Sequence, residues 1–258
     1  MSYETIQYDV SDNIARITLN RPEVMNGLSG QMRKDLLHAV RRAPDEARVM
    51  VLTGAGRGFC SGQDLGDARN AAEINLEVTL RDEYEPLLKA IYTCPIPTIA
   101  AVNGAAAGAG ANLALACDVV IATESAVFLQ AFARIGLIPD AGGTYWLPRS
   151  AGFAKAMGAA LFADAITAKQ ADEWGMIWAS VPDAEFADVI QTRAAQLAKG
   201  PTQAYARIKQ AIRASYENSL EEQLGLEAQL QGEAGRTRDF TEGVMAFLEK
   251  RKPSYEGR

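Results

Sequence analysis

Asp140 is the residue of this chain best placed by its neighbours to carry a proton. It stands in residues 133–149, ARIGLIPDAGGTYWLPR, between the apolar run 135–139 and the pair Gly142 and Gly143. A carboxylate in dry, close-packed surroundings has its pKa pushed upward, toward the range where it can take and return a proton near neutral pH. The same position also suits an N-cap for a helix beginning at Ala141, since Asp is a preferred capping residue. Two Gly-rich loops offer complementary chemistry. Residues 54–67, GAGRGFCSGQDLGD, leave backbone N–H groups near Gly62 and Gln63 open to a ligand's oxygen. Residues 103–118, NGAAAGAGANLALACD, run small side chains into an apolar helix. The first N–H groups of a helix are unpaired and carry partial positive charge, so a substrate carbonyl can come close there.

Both loops look like dinucleotide fingerprints, and neither fits well. In the first, Phe59 takes the place of the third glycine and no helix opens at once; the second has Gly104, Gly108 and Gly110, with Glu124 near the ribose-binding place. A dinucleotide site has no need of two such loops. The single histidine, His38, lies in QMRKDLLHAVRR among charged neighbours and without a nucleophile candidate beside it, which disfavours a Ser-His or Cys-His couple. Cys60, Cys94 and Cys117 form no close pair and no Cys/His ligand spacing. They read as reduced thiols rather than a disulfide framework or a metal site.

The elements that must position these residues follow from periodicity and punctuation. Residues 5–10 and 14–19 alternate β-branched side chains around Ser11, Asp12 and Asn13, which predicts a hairpin. Ser29 caps a predicted helix over 30–42 with Leu36, Leu37 and Val40 on its apolar stripe, and RVMVLT, 48–53, reads as a buried strand. Residues 68–92 read as helical with a break at the Glu85–Pro86 step, and 68–85 as the segment that shapes the pocket. Strands are expected over 98–102 and 118–122, with a helix over 111–117 between them. From Gly152 onward helical patterns dominate: Thr167 caps a helix to Trp174, 177–181 is extended, and helices follow over 183–199, 202–216, 220–232 and 237–251. The last of these have apolar faces to spare, which suits burial against a neighbouring subunit.

With 258 residues the chain can bury roughly 70–75% of its unfolded surface. Its 48% hydrophobic and 22% charged residues are those of a globular protein, not a disordered or membrane-spanning one. No apolar run is long enough to span a bilayer, and MSYETIQYDV lacks the layout of a signal peptide, so a cytoplasmic location is expected. Net charge is −6 with scattered basic residues, which argues against a nucleic-acid partner.

Taken in order, RPEVMNGL, FCSGQDL, AVNGAAAGAGANLALACD and GLIPDAGGTYWLPR resemble the motifs of the enoyl-CoA hydratase/isomerase family, the crotonase superfamily, and the resemblance covers nearly the whole chain. It implies an α/β fold: a crotonase-like β-β-α superhelix over residues 1–200 and a C-terminal helical trimerisation region over 201–258. It implies an acyl-CoA thioester substrate, with coenzyme A part of that substrate and no separate cofactor or metal, and a homotrimer or a dimer of trimers. By the same resemblance the N–H groups of Gln63 and Ala109 hold the thioester oxygen. Ala109 stands where the family usually has glycine. The two glutamates of hydratases fall at Asn112 and Phe132, which would leave a drier pocket poor at activating water. Asp140 falls where isomerases keep an aspartate. This run, with KQADEWGMIW, is similar to the ring-epoxide isomerases of phenylacetate degradation, which also shift double bonds. Backbone near Val24 and the segment Gln63, Asp64, Leu65 and Gly66 would line the coenzyme A path, and Lys250 would meet its phosphates.

An isomerase of acyl-CoA thioesters is therefore the leading expectation. Hydratase-like, dehalogenase or thioester hydrolase chemistry on the same fold is the alternative, with Asp140 as a nucleophile in the last two. A non-catalytic binding member, such as an RNA-associated relative, is a further one, opposed by the acidic charge.

Overall fold

The computed structural model of the chain describes residues 3–64 and 75–258. The chain opens with the antiparallel pair β1 (Ile6–Ser11) and β2 (Ile14–Leu19), in register from Ile6↔Leu19 to Ser11↔Ile14. Asp12 and Asn13 take φ of 53° and 60° in the turn between them. Two successive left-handed residues are what a tight hairpin of the right twist requires, and Asp and Asn tolerate them best after glycine.

Beyond the hairpin the strands alternate between two sheets. β3 (Val49–Gly54), β5 (Thr98–Val102), β7 (Val119–Thr123) and β10 (Ala179–Val181) extend the first, in the order β1-β2-β3-β5-β7-β10, parallel from β2 onward. β4 (Gly58–Cys60), β6 (Ala105–Ala107), β8 (Val127–Leu129) and β9 (Ala165–Thr167) form the second. Each pair β3/β4, β5/β6 and β7/β8 gives one strand to each sheet, with helical segments closing the turn. This is the expected β-β-α spiral. Near-continuous apolar runs such as VMVL and IAAV suit strands covered on both faces.

The helix α1 (Gly30–Glu46) starts on Ser29, whose hydroxyl accepts the Met32 N–H at 3.2 Å, and buries Met32, Leu36, Ala39 and Val40. It runs past the expected end through Pro44. The predicted break at Glu85–Pro86 is absent. Instead α2 (Leu76–Thr79), a π-helical turn (Leu80–Tyr84) and α3 (Glu85–Tyr92) follow without interruption. The slip out of the wider bonding pattern falls beside Pro86, which has no N–H to contribute. α4 (Ala109–Leu115) is buried along its whole length.

The remaining helices are α5 (Gly143–Ser150), α6 (Phe153–Phe162), α7 (Ala168–Glu173), α8 (Phe186–Ala198), α9 (Thr202–Ala214), α10 (Leu220–Ala234) and α11 (Arg238–Leu248). Capping boxes at Thr167/Gln170 and Ser219/Glu222 start α7 and α10. α8 covers the outer face of the first sheet, with Ile190 and Ala194 packed in one cluster with Val49, Val51 and Ile99. α9 is anchored to the core by Lys209 and Arg213, which meet Asp118 at 2.7 and 2.5 Å. Among the described residues no helix is long and apolar enough to cross a membrane.

Candidate active site

The two Gly-rich loops meet. Leu28 pairs with Gln63 in an isolated parallel bridge: its N–H donates to Gly62 O at 2.8 Å and its carbonyl accepts the Asp64 N–H at 3.4 Å. Peptide groups alternate in direction along extended chain, so the Gln63 N–H points the other way. Among the described residues neither that N–H nor the one of Ala109, the first residue of α4, donates to a protein acceptor. Gly62 has φ +91°, and Gly108, just before Ala109, has φ +52° with ψ −127°, conformations that glycine supplies at low cost. A Cβ on Gly62 would lie 2.7 Å from Ala107 O and 3.3 Å from the Ala109 nitrogen. The loops are thus in contact where the two open donors lie.

Asp140 brings a carboxyl group. Its Oδ1 is buried without a hydrogen-bond partner. Burial pushes its pKa up from 3.8 to about 6, and a bond from its own N–H opposes the rise only in part. The capping role is not what the fold uses: Gly142 is the N-cap of α5, with no side-chain cap bond, and Asp140 offers only its carbonyl, to the Gly143 N–H at 2.8 Å. Ala141 and Gly142, with φ of 47° and 81°, turn the chain sharply between Asp140 and the helix. For Ala141 that left-handed conformation is strained.

Asn112, expected at the substrate, is fully buried. Its Nδ2 donates to Asp140 O at 2.8 Å, and its amide is paired with that of the buried Gln130, whose Nε2 donates to Asn112 Oδ1 at 2.8 Å. It reaches the site through the backbone of Asp140. Phe132, in the short 3-10 helix Ala131–Ile135, packs near Gly108, where an added Cβ would lie 3.7 Å from its ring.

Of the residues expected along the coenzyme A path, Val24 and Asp64 come together beside Gln63. The Ser61 hydroxyl donates to Val24 O at 3.2 Å. Arg21 holds Asp64 at 2.6 Å and Gly27 O at 2.8 Å. Leu65 and Gly66, with the first part of the pocket segment 68–85, lie outside the described residues. Lys250 follows the end of α11, exposed and with φ +56°, and no contact among the described residues joins it to the others.

Two further residues, outside the sequence motifs, join the site. Arg33 is buried on α1, and Tyr84 is buried on the π-helical turn. Both donate to Gln63 Oε1, at 3.0 and 2.5 Å. Burial raises the Tyr84 pKa; Arg33 opposes the rise and the charge of Asp140 adds to it. Asp140 is thus within electrostatic reach of the hydroxyl that binds Gln63. One sequence signal existed for Arg33: it falls at i−3 from Leu36 and i−7 from Val40, inside the apolar stripe. A cleft of about 720 Å³ beside α9, lined by Tyr92, Arg149 and Arg213 among others, contains none of these groups. Convergent polar groups define the site here, not cavity size.

Two open N–H donors from Gly-rich loops, one at a strand bridge and one at a helix start, on a spiral of β-β-α turns with a carboxyl group nearby, define the crotonase class. Residues 9–258 match the family model described as Enoyl-CoA hydratase/isomerase, and the chain belongs to that family. It is 62% identical over the full length of both chains to a Rhodobacter capsulatus protein named a probable enoyl-CoA hydratase. It is 47% identical, over 99% of each chain, to the 1,2-epoxyphenylacetyl-CoA isomerase of Escherichia coli. The crystal structure of an enoyl-CoA hydratase from Bacillus anthracis superposes with a TM-score of 0.91 at 33% identity, covering 99% of this chain and 100% of that one.

Proposed function

We propose that this enzyme isomerises acyl-CoA thioesters, with Asp140 as a single carboxylate that both removes and returns the proton. The observation that carries the reading is the state of Asp140: an unpartnered, buried Oδ1 and a pKa raised to about 6, in a site whose two hydratase glutamate positions hold Asn112 and Phe132. The Gln63 and Ala109 N–H groups donate to the thioester oxygen and stabilise the enolate-like charge that builds up as the proton leaves. Asp140 takes the proton from one carbon and delivers it two carbons along, so the double bond moves and no atom is gained or lost. In a ring-epoxide substrate the same donors polarise the thioester while the three-membered ring opens into the oxepin, and Asp140 assists proton movement. The Escherichia coli relative bears the name of that activity. Coenzyme A would pass Val24 and Asp64, with Lys250 at its phosphates, and the active form would be a homotrimer or a pair of them.

A hydratase reading draws on the name of the Rhodobacter relative. It needs a positioned base for water and an acid for the α-carbon, and one carboxylate at Asp140 would have to serve both. The deciding experiment is turnover of a cis-3-enoyl-CoA by wild type and Asp140→Asn, following the rise of conjugated-thioester absorbance and the release of free coenzyme A. Isomerisation without coenzyme A release, lost ~100-fold or more in Asp140→Asn, is the expected result. Equal rates in both proteins would remove Asp140 from the chemistry. Loss of conjugated absorbance from a trans-2-enoyl-CoA at a comparable rate would favour hydration.

A further inference from the structure

Gln63 brings more to the site than its main-chain N–H. Its side-chain Oε1 accepts from Tyr84 OH at 2.5 Å and from Arg33 Nη1 at 3.0 Å. Each nitrogen of the Arg33 guanidinium has a partner. Nη1 also donates to Leu28 O at 2.5 Å, Nε and Nη2 each meet Glu83 Oε2 at 2.7 Å, and the group lies over the Tyr84 ring, 4.9 Å from its centroid. An arginine–glutamate pair whose Glu83 side chain is 33% exposed is weak evidence of stabilisation, since solvent screens the pair and ordering two long side chains offsets its gain. Its geometry has another use. Leu28 O is the carbonyl that also accepts the Asp64 N–H. One guanidinium therefore grips both the strap across the Gln63 main chain and the tip of the Gln63 side chain. The peptide between Gly62 and Gln63 follows a glycine at φ +91°, which has no Cβ to limit rotation.

We propose that the Gln63 side chain is a positioning group: through Oε1, Arg33 and Tyr84 hold the peptide plane that aims the Gln63 N–H at the thioester oxygen. This rests on the thioester reading given above. Glu83 and Tyr84 both come from the π-helical turn Leu80–Tyr84, so the clamp links that turn to the oxyanion donor. Single π-helical turns are frequent at functional sites.

The test separates aim from proton transfer. Gln63→Met keeps the backbone N–H and the chain length and removes the acceptor. Gln63→Glu keeps an acceptor facing Arg33. The probe is cinnamoyl-CoA, a conjugated thioester whose absorbance reddens as hydrogen bonds polarise its carbonyl. Gln63→Met is expected to bind it with a diminished red shift and to isomerise a cis-3-enoyl-CoA with kcat roughly 10- to 100-fold lower and KM little changed, the scale of a small misplacement. Gln63→Glu should recover most of the shift. Tyr84→Phe, which leaves Arg33 as the one remaining donor, should give an intermediate shift and supplies the same readout if Gln63→Met does not fold. A full red shift and wild-type kcat in both Gln63→Met and Tyr84→Phe would overturn the proposal. Asp140→Asn is expected to lose turnover with the red shift intact. If it keeps turnover, the proton-carrier reading falls while the clamp is still judged by the shift. If wild type itself shows no shift, the clamp falls with the thioester reading.

Discussion

At pH 7 Asp140 is ionised at a place where burial raises its pKa from 3.8 to about 6. A carboxyl group with a raised folded-state pKa binds its proton more tightly in the folded chain than in the unfolded one. The stability it contributes is complete below pH 3.8 and is lost as the pH rises through about 6. Above that window the charge opposes folding. Asp140→Asn is therefore expected to be more stable than wild type at pH 8, by about 1–3 kcal/mol, with the gain fading toward pH 4. Urea unfolding of both proteins at the two pH values checks this, and an Asn variant that is less stable at pH 8 would contradict it. The same carboxylate must be deprotonated to act as a base. The profile of kcat/KM should therefore fall on the acid side with an apparent pKa near 6, and an acid limb near the ordinary carboxylate range would place the base elsewhere.

Between elements, α4 and α5 meet through Asn112 and Gly143. A Cβ on Gly143 would overlap the Asn112 amide, and that amide holds the Asp140 carbonyl at 2.8 Å. Gly143→Ala is expected to push Asn112 back, move Asp140 and lower kcat at least tenfold, with an overpacking cost of about 1–3 kcal/mol. Kinetics and thermal unfolding read the two effects separately; an unchanged kcat would show that the Asn112 contact does not set the position of Asp140. How far such contacts can be seen in the sequence depends on their range. The hairpin, β3, β5 and the capped helices were legible because turn residues, caps and apolar period are local. β6 is hidden because Ala105–Ala107 has no alternation to show, and the three-residue strands β4, β8 and β9 are too short for any period. The two Gly-rich loops are legible because each follows a strand with a run of small residues. The Arg33–Gln63–Tyr84 clamp was not, because its partners lie far apart in sequence and meet only in the folded spiral. The motif position of Asn112 states which residue is present, not that its amide turns to Gln130 and the Asp140 carbonyl.

For the molecule as a whole, the separate chain leaves large apolar side chains in water. Phe247 is 83% exposed on α11 and Phe162 75% on α6, and Ile138, two residues before Asp140, is 77% exposed. Arg134 donates to Ala163 O at 2.5 Å, so the turn leading to Asp140 is fixed to the end of α6 and shares its exposed side. Apolar surface on this scale marks contact with another protein surface. Sedimentation at micromolar concentration is expected to give a trimer or a pair of trimers, and a single monomeric species would refute it. The consequence for catalysis can be tested in the same preparation. Leu161→Arg and Phe162→Arg place a charge on the exposed end of α6, where an apolar interface would have to bury it without a partner. The separate chain already leaves Ile135 and Ile138 in water with the Asp140 pKa raised to about 6, so the variant that dissociates is expected to keep its acid limb near that value. A limb that moves toward the ordinary carboxylate range on dissociation would show that a neighbouring copy, not this chain alone, keeps Asp140 dry.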